Sequence, residues 1–418
     1  PRTALETLNR RIGGLGEPKD APSRKRRALL WQRLGLLRRD VDRSARAAIY
    51  AFEQAVALDP DLRGQLVELY EDGRAHGPAA LAHHRALLFA DPLRAASLRA
   101  VARIYVESFE AVKARAIYQV LELAAGLTED ERAWLAADAA PAFDADSAYA
   151  GVLDDADHAR LAHPDARTLA EVFEALREGA PNLLERGFAP YGCRPQDRLS
   201  PVSPLPAALV FGQLARALGN KKTGLYLKAD RGLDGIVIIS QPPTGVLIGP
   251  RIAHETPPSE LRFLLGRAVA LARPEYILAE TAERRSFAVM MQALLRAFHP
   301  RHARLLATDP LAAKLRKQVP VIVAKRLHEW FRERAQATFS SARWRLAVRQ
   351  TANRMGLLAC GDLSTAVRIL VRENEPDLPD RPEAAQLSSL LERSPQFGDL
   401  LRWALSEEYL AAYARLWR

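Results

Sequence analysis

Two histidine–glutamate pairs are the residues of this chain whose types and spacing first suggest chemistry. Many zinc hydrolases carry H-E-x-x-H on a helix, where two histidines one turn apart bind zinc and the glutamate activates water. His254 and Glu255 begin this pattern, but Pro258 occupies the position of the second histidine. His328 and Glu329 begin it again, also without a second histidine. We therefore expect no metal and no cofactor at either pair.

Residues 258–275, PSELRFLLGRAVALARPE, resemble the active-site helix of gluzincin peptidases of the HtpX-like class. In those enzymes an acid, two leucines and a small residue precede H-E-x-x-H, and Gly266 is the small residue here. The first histidine then falls on Arg267, the general base on Ala268 and the second histidine on Leu271. An arginine stays protonated, and alanine and leucine offer no ligand atom. The resemblance therefore implies a helix whose catalytic residues have been replaced.

A second stretch, RQTANRMG at residues 349–356, is similar to the pattern from which these peptidases take their third zinc ligand. That pattern resembles E-x-x-A-D-x-x-G, and this chain keeps the alanine and the glycine. Arg349 stands at the ligand position, and Asn353 stands where an aspartate orients a histidine. The resemblance covers about residues 200–375 and implies a degenerate zincin-like domain, a pseudo-peptidase. More loosely, the whole chain resembles large repeat-containing proteins of myxobacteria.

Arg267 and Arg349 are the candidate binding residues at this degenerate centre. If both converge where the metal lies in the peptidases, two neighbouring guanidinium groups require an anion. A carboxylate of this chain, such as Glu275 or Glu280, would make a structural ion pair. A phosphate or a peptide carboxylate would instead make a binding site. The sequence leaves both sources open.

Helical repeats are predicted in the N-terminal part of the chain. WQRLG at residues 31–35 matches the W-x2-L-G opening of a tetratricopeptide unit, and the pair Asp59-Pro60 recurs as Asp91-Pro92, 32 residues later. We expect three helix pairs, at residues 29–59, 62–91 and 94–125. Such pairs bury their apolar faces by stacking on one another, and the stack offers a surface for a partner protein. The alternative is that the repeats only support the domain that follows.

The predicted fold is mostly α-helical and has four parts. Residues 1–28 are expected to be a flexible arm, 29–140 an α-solenoid of tetratricopeptide-like repeats, and 141–198 a connector with one helix. Residues 199–418 are expected to form a zincin-like α+β domain. Its small sheet is predicted from the strand-like runs at residues 224–230, 235–240 and 245–250. The loop GNKKTG at 219–224 lacks the order of a phosphate-binding loop and is predicted to be a turn.

Composition sets broad limits on location and partners. The 418 residues contain two cysteines, which excludes a disulfide framework and fits a reducing compartment, so we expect a cytoplasmic protein without a membrane span. The net charge is +10, and residues 301–349 are strongly basic, with aromatic residues among the arginines. This segment could bind nucleic acid or an anionic surface. At helical spacing, however, Val323, Leu327, Trp330 and Phe331 form one apolar face, which favours core packing.

Taken together, these patterns predict a non-catalytic interaction or scaffolding protein. Its repeats and its degenerate groove would hold a protein partner, or the groove would be purely structural. One alternative is a metallopeptidase with atypical ligands. The other is a binder of nucleic acid or anionic surfaces through residues 301–349, although no recognised nucleic-acid motif accompanies the basic charge.

Overall fold

Helices make up most of the chain in the computed structural model, as the sequence predicts. The structure describes residues 2–72, 77–137, 149–182, 186–200, 202–228, 232–302 and 308–417. The chain divides into two units, Pro1–Trp134 and Leu135–Arg418. Within the described residues, no helix is both long enough and apolar enough to cross a membrane.

The N-terminal part of the chain is built from helices. They are α1 (Arg2–Gly13), α2 (Ala21–Asp40), α3 (Ala45–Leu58), α4 (Arg63–Asp72), α5 (Pro78–Ala90), α6 (Ala95–Glu107), α7 (Ala111–Ala125) and α8 (Glu129–Ala137), with a 3-10 turn at Pro60–Leu62.

The three predicted helix pairs are present as α2–α3, α4–α5 and α6–α7. Asp59 and Asp91 end α3 and α5 in extended backbone, because the proline that follows each of them disfavours helix in the residue before it. Gly35 is required in the first pair, since a Cβ there would lie 2.4 Å from the ring of Phe52. Phe52 is itself buried in the core that these helices share.

The expected flexible arm at residues 1–28 is wrong. Residues 2–13 form α1, and α2 begins at Ala21, where Asp20 and Ser23 cap it reciprocally. Leu5 and Ile12 are buried against apolar residues of α2 and α3. Their helical spacing outweighs the Gly and Pro residues nearby.

The second unit contains the sheet and the remaining helices. The elements are α9 (Asp155–Leu161), α10 (Pro164–Arg167), α11 (Ala170–Gly179), α12 (Pro206–Ala217), β1 (Gly224–Leu227), β2 (Ile236–Ile239), β3 (Gly245–Ile248), α13 (Pro250–His254), α14 (Pro258–Leu271), α15 (Ile277–Thr281), α16 (Arg284–Phe298), α17 (Pro310–Gln318), α18 (Val321–Glu333), α19 (Ser341–Cys360), α20 (Leu363–Asn374), α21 (Ala384–Arg393), α22 (Pro395–Ala404) and α23 (Glu407–Leu416), with 3-10 turns at Ala189–Tyr191 and Pro195–Asp197.

The three strands form one mixed sheet in the order β1-β3-β2. β1 runs parallel to β3, with Leu225 opposite Val246, and β2 runs antiparallel to β3, with Ile238 opposite Val246. A turn with a cis bond between Pro242 and Pro243 joins β2 to β3. One face of the sheet packs on a small apolar cluster, and β2 also contacts α14 and α15.

The expected connector at residues 141–198 is also wrong, because much of it is packed into the second unit. Instead of one helix it contains α9, α10 and α11 among the described residues, and Leu161 and Phe173 are fully buried. Its polar residues are anchored as well. Asp157, for example, accepts hydrogen bonds from Arg415, 258 positions later in the chain. Such distant partners leave no local signal in the sequence.

Candidate functional site

The two stretches that resemble a zinc-peptidase centre lie on helices that pack directly against each other. α14 carries Gly266 and α19 carries Gly356. A Cβ on Gly266 would lie 2.5 Å from the Cβ of Ala359, and one on Gly356 would lie 2.9 Å from the carbonyl oxygen of Phe263. The two glycines therefore allow the helix backbones to approach closely where they cross.

A cleft of about 310 Å³ lies between α14, α20 and the strand β2. Three of the five degenerate positions line it: Arg267, Ala268 and Leu271. Because residues 267 and 271 are one turn apart, they face the same side of α14. At the three positions where a zinc helix presents two imidazoles and a carboxylate, α14 therefore presents one guanidinium group and two hydrocarbon side chains.

Arg267 is held by a carboxylate of the same chain. Its Nη1 donates to both carboxylate oxygens of Glu373 on α20, at 2.7 and 2.9 Å. The side chain is 19% exposed and also lies over the ring of Phe263, 5.4 Å from its centre. The ion pair neutralises the charge of Arg267, which stands at the position of the first histidine in the peptidase pattern.

Arg349 does not share this partner. Its Nε lies 3.7 Å from a carboxylate oxygen of Glu280, which lines the cleft, and half of the Arg349 side chain is exposed. Burial lowers the pKa of Arg345, and the guanidinium groups of Arg349, Arg284 and Arg186 lower it further, against the opposing effect of Glu280. Arg349 thus belongs to a group of cations around Glu280, and each of the two candidate arginines has its own carboxylate.

Asn353, the last degenerate position, is fully buried on α19. Its Nδ2 donates to Oε1 of Gln396 at 3.1 Å, so it serves packing within the unit and does not line the cleft.

Further ion pairs hold α20 in place beside α14. Glu260 on α14 lies 3.1 Å from Arg368 and 3.3 Å from Arg372. Arg372 also donates to Asp380, and this hydrogen bond lowers the pKa of that carboxyl. Sequence reasoning missed Glu260, Arg372 and Glu373 as cleft residues. The one available signal was the spacing of Arg368 and Arg372, one turn apart on a predicted helix.

The outer edge of β2 supplies the other wall of the cleft. The N–H of Gly249 donates to the carbonyl of Gly235 at 3.2 Å, next to the pairing of β2 with β3. In an antiparallel pair, bonded and unbonded residues alternate along the strand. The backbone groups of Ile236 and Ile238 therefore point away from β3, and no partner for them occurs among the described residues. Both side chains line the cleft.

In the described part of the chain, no three His, Cys, Asp or Glu side chains come together in a way that could hold a metal ion. His254 is exposed at the end of α13, and Nδ1 of His328 lies 3.1 Å from the carbonyl oxygen of Phe298.

The basic segment 301–349 places much of its aromatic surface inside the unit. Phe331 and Trp344 are buried, while Trp330 is partly buried under the guanidinium group of Arg334, 4.4 Å from the ring centre. The described part of the segment thus uses its aromatic rings mainly for packing.

Comparison with protein-family models, with curated proteins and with solved structures returned no significant match. The likeness to the HtpX-like class therefore rests on the two sequence patterns and on the order of the elements.

Proposed function

We propose that this chain is a non-catalytic binding protein whose second unit holds an extended segment of a partner protein in the cleft between β2 and α14. The helical repeats of the first unit would provide a separate surface for the partner. The observation that carries the proposal is a cleft that lies along β2, the strand at one end of the sheet, and that has no metal ligand or general base at positions 267, 268 and 271 of α14.

The chemistry of the floor supports binding without catalysis. Hydrolysis at a zinc site needs three protein ligands and an oriented base. Ala268 and Leu271 have no group that could act as ligand or base, and the guanidinium group of Arg267 is engaged by Glu373. What remains is an apolar strip bordered by paired charges.

The strand edge supplies the means of binding. An extended peptide can add to an exposed edge, where main-chain hydrogen bonds give affinity and pockets for alternate side chains give specificity. The N–H and C=O groups of Ile236, which is partly exposed, would make this pairing, while Ile238 is only 4% exposed and Ser240 already donates to the carbonyl of Arg186. The side chains of Leu264 and Leu271 offer apolar contacts along the same cleft.

Selection of linear peptides from a random display library on the full chain tests the proposal. We expect the selected peptides to protect the amide of Ile236 from hydrogen exchange. Ile236→Pro removes one outward N–H and leaves the bonds between β2 and β3 intact. It should weaken binding about tenfold or more, since one lost hydrogen bond and the steric bulk of the ring add to over ~1.4 kcal/mol. Ile236→Val is the matched control and should bind as the wild type does.

Two results would overturn the proposal. One is a set of selected peptides that bind Ile236→Pro as tightly as the wild type. The other is protection confined to residues outside the cleft. Thermal unfolding of Ile236→Pro shows whether the variant is folded, and hydrogen exchange on the wild type decides the question if it is not.

A further inference from the structure

A second pocket, of about 250 Å³, lies beside β1, the strand at the other end of the sheet. It is formed by α12, by β1 and by the turn at residues 219–224. It is separate from the cleft described above, and none of its lining residues belongs to that cleft.

The floor of this pocket is hydrocarbon. α12 contributes Ala208, Phe211, Gly212 and Ala215, whose spacing places them on one helix face, and β1 contributes Leu225. Four of these residues are buried, with 3–7% of their surface exposed. Gly212 differs from the other four residues because it has no side chain, and a Cβ built on it would meet nothing within 4 Å. The missing side chain at position 212 therefore leaves room in the pocket.

The rim carries positive charge only. Arg198, Arg216 and Lys221 line the pocket, all three are exposed, and no carboxylate lines it with them. Among the described residues, none of the three cations forms an ion pair. Asp197, the nearest acidic residue in sequence to Arg198, does not line the pocket and accepts a hydrogen bond from the backbone N–H of Arg194.

A cationic rim above an apolar floor favours ligands that combine a negatively charged group with an apolar part. Ligand pockets are mostly apolar with a few polar groups that fix orientation, and guanidinium groups match carboxylates and phosphates in geometry. A basic surface that lacked an apolar floor would attract any anion, with or without an apolar body. A pocket for a purely apolar ligand would have no use for three cations that have no carboxylate partner among the described residues.

We propose that this pocket binds a small organic anion. Its apolar body, of about one ring, would lie against Phe211 and Leu225. Its carboxylate or phosphate head would be held by Arg198, Arg216 and Lys221. This proposal is independent of peptide binding at the β2 edge, and either can fail without the other.

Titration calorimetry of the full chain at low ionic strength tests the pocket with three defined probes: benzoate, hexanoate and phenyl phosphate. We expect saturable binding of at least one of them. Inorganic phosphate, which has no apolar body, and phenol, which has no anionic head, should bind at least about tenfold more weakly. The two kinds of head are distinguished by comparing benzoate with phenyl phosphate.

Two pairs of variants locate the binding. Lys221→Gln should weaken it about tenfold, the scale of one lost charge-assisted hydrogen bond, while Lys222→Gln should leave it unchanged. Lys222 is exposed in the same turn but does not line the pocket. Gly212→Leu should abolish binding by filling the space, without loss of stability, since leucine is a better helix former than glycine.

Each outcome of these experiments either supports or overturns the proposed anion pocket. Loss of binding in Gly212→Leu with unchanged thermal stability supports the pocket. The absence of saturable binding of all three probes to the wild type overturns the proposal, and so does equal binding by Gly212→Leu or by Lys221→Gln.

Discussion

Two buried arginines of the second unit are paired with carboxylates, most of which lie far away in the sequence. Buried Arg273 donates to Glu275 at 2.5 Å and to Asp155 at 2.8 Å, 118 positions away. Arg354 on α19 makes two hydrogen bonds to Asp399, at 2.6 and 3.0 Å. Removing one member of such a pair leaves an uncompensated buried charge, which costs about 3–5 kcal/mol. These pairs fix the segment at residues 150–182 and the C-terminal helices to the rest of the unit.

His158 adds a pH dependence to this network. It is 5% exposed, and its Nε2 lies 2.8 Å from the carbonyl oxygen of Leu218. Burial, followed by the charge of Arg273, lowers the pKa of His158 to about 4, against about 6.5 for an unfolded chain. The folded state therefore binds fewer protons than the unfolded state between these values, and stability falls as pH drops from 6.5 towards 4.

We predict that His158→Gln reduces this pH dependence. Denaturant unfolding should show that the wild type loses up to about 3 kcal/mol more than the variant between pH 7 and pH 4, at roughly 1.4 kcal/mol per pKa unit. His163→Gln is a useful comparison, because burial also lowers the pKa of His163 and a similar, separate effect is expected. Identical pH profiles for the wild type and His158→Gln would contradict the assignment.

At the scale of elements, the crossing of α14 and α19 gives the small residues of the two short patterns a structural role. Gly266 and Gly356 let the helices pack, so the scaffold residues of both patterns have a structural reason to be there. Arg267 packs at the same crossing, since a Cβ on Gly356 would lie 2.7 Å from its Cγ.

Gly356→Ala should destabilise the protein, because its Cβ would lie 2.9 Å from backbone at Phe263 and force the helices apart. Overpacking of this kind costs about 1–3 kcal/mol, which outweighs the ~1 kcal/mol that alanine gains over glycine in a helix. Gly212→Ala is the matched control: it is also inside a helix, but its Cβ meets open space, so it should be stabilising. Denaturant unfolding that ranks the two variants in the opposite order would contradict the crossing.

Helices and strands were predictable from the sequence where the apolar periodicity is strong. They were not predictable where contacts between distant parts of the chain determine the structure. The three repeat pairs, α12 and the three strands follow from spacing and from Gly and Pro punctuation. The segment 141–198 was misjudged as a connector because its Asp and Pro residues suggest a loop, whereas Asp155 and Asp157 are bound by distant arginines. The candidate site likewise contains residues that the sequence could single out and residues that it could not. Arg267 could be singled out from the sequence, but its partner Glu373 lies 106 positions away and gives no local signal.

At the scale of the whole molecule, the two units are proposed to share one role, which is to hold a partner without modifying it. Three features of the second unit support this role: the open β2 edge, the hydrocarbon floor of the cleft and the ion pair that occupies Arg267. The separate cationic pocket beside β1 adds a proposed small-molecule site to the same unit.

The zinc content of two proteins, purified without an affinity tag after expression with added zinc, tests the central claim most directly. The first is the wild type. The second carries Arg267→His, Ala268→Glu, Leu271→His and Arg349→Glu, which place the ligands and the base of the peptidase pattern on the crossing helices. We predict far less than one zinc per chain in the wild type and one per chain in the rebuilt protein. One zinc per wild-type chain would contradict a non-catalytic cleft, and a rebuilt protein without zinc would contradict the zincin-like scaffold.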